Sequence, residues 1–292
     1  METGRREFIG SLGGALLGSR LPQSTAPQST SNPTPARAPA GEPSAFLSAL
    51  GEAYRPKLPA VRVRTVKTTL LFKSPEMSPN AISATPEGLW IAEQRSDQVH
   101  LVDWSGKLLK TVKTESRNTS GLGVGGGYIW MAANALPYGI YQTDMNSRTV
   151  SHRQIPLGNP GNGGGCHGAE YVDGKLWVAS LRLRGILCID TASWRPEALI
   201  SYTIPRAHGI AVDRAANAVW MVTGNDQGAG LIKYDVATGN TLETAQFAAT
   251  DADPHGLALH EGVLYSCDAG IHPGWTDNSS ASHGYVFRID LN

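Results

Sequence analysis

The sequence predicts an all-β fold, a β-propeller of four-stranded blades closed by an N-terminal strand. Three observations carry this: one strand pattern recurs five times, no segment has the period of a long helix, and an extra apolar strand precedes the first repeat. Composition agrees, because the 292 residues are 41% hydrophobic and 17% charged, with 33 Gly and 18 Pro to supply turns. Five blades are expected, with six as the fallback, since a sixth needs about 40 further repeating residues.

Each repeat reads as a short apolar strand, a turn, a second strand carrying Trp or Tyr, a loop, a third strand ending in Asp, and a fourth strand. The spacing is about 40 to 47 residues. The second strands align without gaps: GLWIAE at 88–93, YIWMAA at 128–133, KLWVAS at 175–180, AVWMVT at 218–223 and VLYSCD at 263–268. Bulky aromatic and β-branched residues alternating along them suit sheets packed face to face around an axis. The third strands end at Asp103, Asp144, Asp190, Asp235 and Asp290, which read as turn formers.

The last repeat runs only to its third strand, whereas VRVRTVKTTLLFK at 61–73 is a strand without a repeat. This segment is expected to complete the last blade, pairing two open sheet edges. The propeller then spans 61–292. Ahead of it, Arg5 and Arg6 followed by Phe8, Ile9 and a short glycine-rich apolar run at 11–18 resemble a twin-arginine export signal over 1–22. A Pro/Ser/Ala-rich spacer at 23–60 is expected to be disordered. The protein is therefore expected in the periplasm or secreted, with no membrane contact after signal cleavage.

Formal charge is zero, so no basic face points to nucleic acid or anionic lipid. The partner expected is a small molecule or peptide substrate, bound by a monomer. Cys166, Cys188 and Cys267 have no metal-site or redox spacing and cannot all pair, which predicts no disulfide framework.

In a propeller the first strand of each blade lines the axis, so the residue just before it projects into the mouth. That position holds Asn80, Ser120, His167, His208 and His255 in successive repeats. Each of the three histidines precedes a Gly, which permits a tight entry to the strand. Converging imidazoles at His167, His208 and His255 suit a divalent ion, whether Zn, Mn, Fe, Mg or Ca, with positions open to water or substrate. Without a metal they suit proton transfer near neutral pH. A third reading makes His-Gly a repeat hallmark whose rings bond neighbouring loops.

The ends of the second strands open on the same face and add Glu93, Asn134, Ser180, Thr223, Asn225 and Asp268. Glu93 and Asp268 carry most weight beside His208 and His255, since a carboxylate completes a metal shell or acts as general base. Either would serve equally in a surface turn. Arg182, in a neighbouring loop, suits a substrate carboxylate. The stretch 268–284 is longer than its counterparts and brings His272, Trp275 and His283 over the mouth, with Trp275 as a stacking platform.

The phrases HGIAV at 208–212, PHGLAL at 254–259 and LWIAE at 89–93 resemble the repeats of streptogramin B (virginiamycin B) lyase-like propellers and, more broadly, the gluconolactonase and senescence-marker group. The lyase resemblance implies a metal, with a channel-face histidine and a carboxylate, opening a cyclic depsipeptide by elimination across an ester. His208 and His255 match the start of that family's repeat. The run EYVDGK at 170–175 and the repeat count are similar to plant-type glutaminyl cyclotransferases. Two functions are therefore expected to compete. One is a metal-assisted lyase or hydrolase of an ester or lactone, or a glutaminyl cyclotransferase-like enzyme; the other is a non-catalytic propeller that binds a ligand or protein on the same face.

Overall fold

Short runs of Val, Ile, Leu and aromatic residues between Gly, Asn and Asp turns give the described residues of the computed structural model twenty β-strands and no helix. The structure describes residues 60–157, 165–204, 207–224, 229–248, 250–270 and 280–292, all within one unit, Lys57–Asn292. The expected export signal and nearly all of the expected spacer lie outside these residues.

β1 (Arg62–Lys73) comes first in the chain. The first repeat then forms β2 (Pro79–Thr85), β3 (Gly88–Glu93), β4 (Gln98–Val102) and β5 (Leu108–Lys113). The second forms β6 (Thr119–Gly125), β7 (Tyr128–Ala133), β8 (Gly139–Asp144) and β9 (Thr149–Arg153). The third forms β10 (Cys166–Val172), β11 (Lys175–Ser180), β12 (Gly185–Asp190) and β13 (Pro196–Ser201). The fourth forms β14 (Ile210–Asp213), β15 (Ala218–Thr223), β16 (Gly230–Asp235) and β17 (Thr241–Gln246), and the last forms β18 (Leu257–His260), β19 (Val263–Cys267) and β20 (Tyr285–Leu291).

The expected count of five separate blades, or six, is corrected to four hydrogen-bonded sheets: three of four strands, and one of eight in the order β14-β15-β16-β17-β1-β20-β19-β18. β1 causes the fusion. Its residues Val66 to Lys73 pair antiparallel with β20, while Arg62 to Thr65 pair in parallel with Glu243 to Gln246 of β17. At 12 residues β1 outruns the 7 of β20. Its surplus amides and carbonyls find partners on the otherwise open edge of β17.

The first strands β2, β6, β10, β14 and β18 contact one another in cyclic order and close a propeller-like ring. Close backbone approach explains the glycine after each axial histidine. A Cβ on Gly168 would lie 2.6 Å from His208 O, one on Gly256 2.6 Å from Ile82 N, and one on Gly209 2.7 Å from His255 O. Between β2 and β6 a side chain makes the junction instead: Asn80 Nδ2 donates to Thr119 O at 3.1 Å and to Ser120 Oγ at 2.7 Å. Below the axial residues, Ile82, Leu122, Ala169, Ile210 and Leu257 surround a space that admits no water molecule. The axial residues therefore form a mouth above an apolar plug.

Hydrophobic clusters fill the gaps between successive repeats, with Trp90 packed against Met131 and Tyr141, and Trp220 against Phe287 and Ile289. Trp90, Trp130, Trp177 and Trp220 are all buried, each burial contributing about 2–3 kcal/mol relative to exposure. Asp103, Asp144, Asp190 and Asp235 accept the amides of Ser105, Asn146, Ser193 and Thr238, so these carboxylates shape turns.

A candidate active site at the axial mouth

The axial histidines are held by backbone pairing to the second strands. His208 N donates to Val222 O at 2.8 Å, and His255 N donates to Cys267 O at 2.8 Å. The three buried rings form a train: His167 meets His208 edge to face with centroids 5.0 Å apart, and His208 meets His255 the same way at 5.0 Å. Asn134 Nδ2 lies 2.8 Å from His167 Nε2, which brings this sequence-predicted residue to the mouth. Asn80 and Ser120 bond each other on the remaining arc.

Edge-to-face rings pass from one to the next instead of converging on one point. Among the described residues, the ligating atoms that do cluster belong to Asp253, His255 and Asp268, within 4.8 Å of one another and all buried. His255 Nδ1 sits 3.9 Å from Asp253 Oδ2, 3.4 Å from Asp253 O and 3.4 Å from Ala269 N. Nδ1 is thus the ring nitrogen that faces Asp253.

Asp268 has no exposed surface. Its Oδ2 accepts from Ser280 Oγ at 2.5 Å, Ser282 Oγ at 2.6 Å and Asp253 N at 3.3 Å, and its Oδ1 accepts from Gly270 N at 2.8 Å. Such donors replace the water that a buried carboxylate gives up. His283, half-buried, lays its ring against Gly270 and so borders the same turn.

Other predicted residues are placed differently. Glu93 is buried, and its two oxygens accept Glu76 N at 3.1 Å and Ser78 N at 2.7 Å, so it secures the link between β1 and β2. Ser180 accepts Leu183 N at 3.4 Å in the turn after β11, and Thr223 accepts Gly230 N at 2.9 Å across the β15–β16 pair. Arg182 is exposed in the turn after β11. Asn225, His272 and Trp275 lie outside the described residues. The three cysteines are buried and unpaired, and burial pushes the Cys166 and Cys267 thiols up, which keeps them protonated. Sequence reasoning passed over Asp253, Ser280 and Ser282. The signals were the Asp-x-His spacing at 253–255 and a pair of serines two apart before β20.

Glu170 lies further along β10 from His167 and accepts Val212 N from the neighbouring first strand β14. Burial pushes its carboxyl from 4.5 up to about 8. An unfolded chain loses this proton at the lower pH, so between these values the folded state binds the extra proton and stability falls as pH rises. Glu170→Gln keeps an acceptor for Val212 N. It is expected to flatten that slope and to raise stability at alkaline pH by about 1–2 kcal/mol, read from urea midpoints across the neutral range.

No protein-family model matches this chain, and no curated protein matches it. Solved structures do. Glutaminyl cyclase of Myxococcus xanthus aligns at 8% identity over 80% of this chain and 99% of its own, with a TM-score of 0.59. A protein of unknown function from Bacteroides thetaiotaomicron aligns at 12% identity over 78% of this chain and 76% of its own, with a TM-score of 0.49. Hydrazine synthase of Kuenenia stuttgartiensis aligns at 13% identity over 75% of this chain and 64% of its own, with a TM-score of 0.46. At 8% identity the likeness to the cyclase is one of fold, and chemistry has to be read from the residues at the mouth.

Proposed function

We propose that the chain is an exported enzyme whose active site is the axial mouth, acting on the ester or lactone of a small molecule or cyclic peptide. The carrying observation is the buried imidazole of His255 between two buried carboxylates, Asp253 and Asp268. Four donors already satisfy Asp268, and a bound cation would offset the like charge that Asp253 adds beside it. Two oxygen donors and one nitrogen donor fit a divalent ion, so the proposed metal ligands are Asp253, His255 and Asp268 in place of three histidines. When bound, the ion supplies Lewis-acid polarisation of the substrate carbonyl.

The protein's own residues do the rest. His208, in edge contact with His255, takes the proton, either from an attacking water in hydrolysis or, in elimination, from the carbon adjacent to the one whose C–O bond breaks. His167, oriented by Asn134, passes that proton toward solvent. The plug of Ile82 and Leu257 beneath excludes water from below.

The test is a panel of aryl esters, lactones and cyclic depsipeptides given to untagged protein. Turnover is expected to fall about 100-fold on chelation or in His255→Gln, and to return to the wild-type chain with added Mn²⁺ or Zn²⁺. Turnover indifferent to both treatments, or none by folded, metal-loaded protein, overturns the proposal; ligand binding at the mouth without turnover supports the non-catalytic reading. The shared fold with glutaminyl cyclase at a TM-score of 0.59 favours one second reading, so peptides with N-terminal glutamine belong in the panel, with ammonia release as the readout.

A further inference from the structure

The eight-stranded sheet folds around a second cleft, of about 470 Å³, at the end of β14 opposite His208. Every strand of that sheet contributes to the lining, and no strand of the other three sheets does. A volume of this size falls in the range of small-molecule sites. The cleft exists because β1 divides its pairing: the strand forms the spine from which the two halves of the sheet open.

The charges on one wall are largely satisfied. Lys233 Nζ lies 2.9 Å from Asp213 and 3.7 Å from Glu243, and 4.9 Å over the ring of Trp220. Asp290 is held by Arg288 at 2.8 Å and by Thr69 at 3.2 Å. The facing side, from β18, β19 and β20, presents the partly exposed Leu259, Val263 and Leu291 beside Asp290 and Asn292. The spine is different. Arg64 Nε is buried and makes a long ion pair to Glu243 at 3.6 Å, beyond hydrogen-bond reach, and Nη2 donates to Leu291 O at 3.4 Å. Arg62 lines the same cleft and is exposed. The donor capacity left over in the cleft is therefore guanidinium, across from these aliphatic side chains.

We propose that this cleft binds a small organic carboxylate carried on an apolar body. The carboxylate takes the guanidinium of Arg64, with Arg62 at the rim, and the body lies against Leu259, Val263 and Leu291.

The experiment compares 4-phenylbutyrate with its primary amide on the full chain, by calorimetry and by the indole N–H resonance of Trp220, assigned through Trp220→Phe. The acid is expected to bind with a Kd below about 1 mM, and the amide, or the acid to Arg64→Gln, at least about 10-fold more weakly. His255→Gln is expected to bind as wild type does, which separates this cleft from the mouth. Equal affinity for acid and amide, full affinity in a folded Arg64→Gln, or no binding by wild type overturns the proposal. If Arg64→Gln does not fold, Arg64→Lys keeps the charge and removes the fork. Its acid-over-amide preference is then expected to fall about 10-fold, and an unchanged preference counts against the site.

Discussion

Asp268→Ala is expected to destabilise the folded chain by about 3–5 kcal/mol and to abolish turnover at the mouth. The carboxylate is completely buried, and four donors depend on it: the hydroxyls of Ser280 and Ser282 and the amides of Asp253 and Gly270. Hydroxyls can rotate to new acceptors, but the two amides are fixed by the backbone. Without Asp268 they remain desolvated, and the loop ends at Asp253 and Ser280 lose the anchor that holds them beside His255. Asp268→Asn is the informative companion. It retains one acceptor oxygen, so a smaller loss of stability is expected, about 1–3 kcal/mol, with turnover still lost because the anionic oxygen is gone. Urea unfolding read alongside turnover separates the two effects, and an alanine variant within 1 kcal/mol of wild type, a threshold set by ordinary surface substitutions at about 0.5 kcal/mol, defeats the argument.

Gly209→Val is expected to produce the other large effect, a loss of about 3–5 kcal/mol or failure to fold. The position is close-packed on backbone: a Cβ there meets Leu257 N and lies 2.7 Å from His255 O. No flexible side-chain end is available to move aside. Relief requires shifting β14 from β18, and that stretches the bond from Gly209 N to His255 O, 2.6 Å in the native ring. The mouth is thereby disturbed from beneath, so any folded fraction is expected to turn over more slowly. Gly262→Ala is the control, since nothing lies within 4 Å of its Cβ and its φ of 77° is the one source of strain. It is expected to cost about 1 kcal/mol, seen as a small shift of the thermal midpoint.

The axial mouth was legible because repeat symmetry acts locally. Aligning the second strands places Asn80, Ser120, His167, His208 and His255 at one position, and their ring contacts and hydrogen bonds in the structure follow that order. Asp268 was legible as a strand-end carboxylate, as was Glu93, yet their surroundings send them to different tasks. Glu93 meets two backbone amides ahead of β2, while Asp268 meets two serines and the amide of Asp253. Nothing in the strings GLWIAE and VLYSCD distinguishes these outcomes. The difference comes from the connections that lead into the two repeats.

The sequence alone determined an all-β chain of repeating strands, its turn-forming aspartates and the histidine-bearing end of its axis, because alternation along a strand and the chemistry of a turn depend on neighbours in the chain. Tertiary structure decided that β1 serves two repeats at once, joining them into one sheet of eight strands around a charged cleft. It also decided that the ligating atoms of His255 cluster with those of Asp253 and Asp268, within 4.8 Å of one another. Both are matters of which edge or side chain is met after the ring closes. A strand has the same local pattern whichever edge it joins, so only the closed ring shows that β1 has four residues more than β20 can use and that β17 takes them.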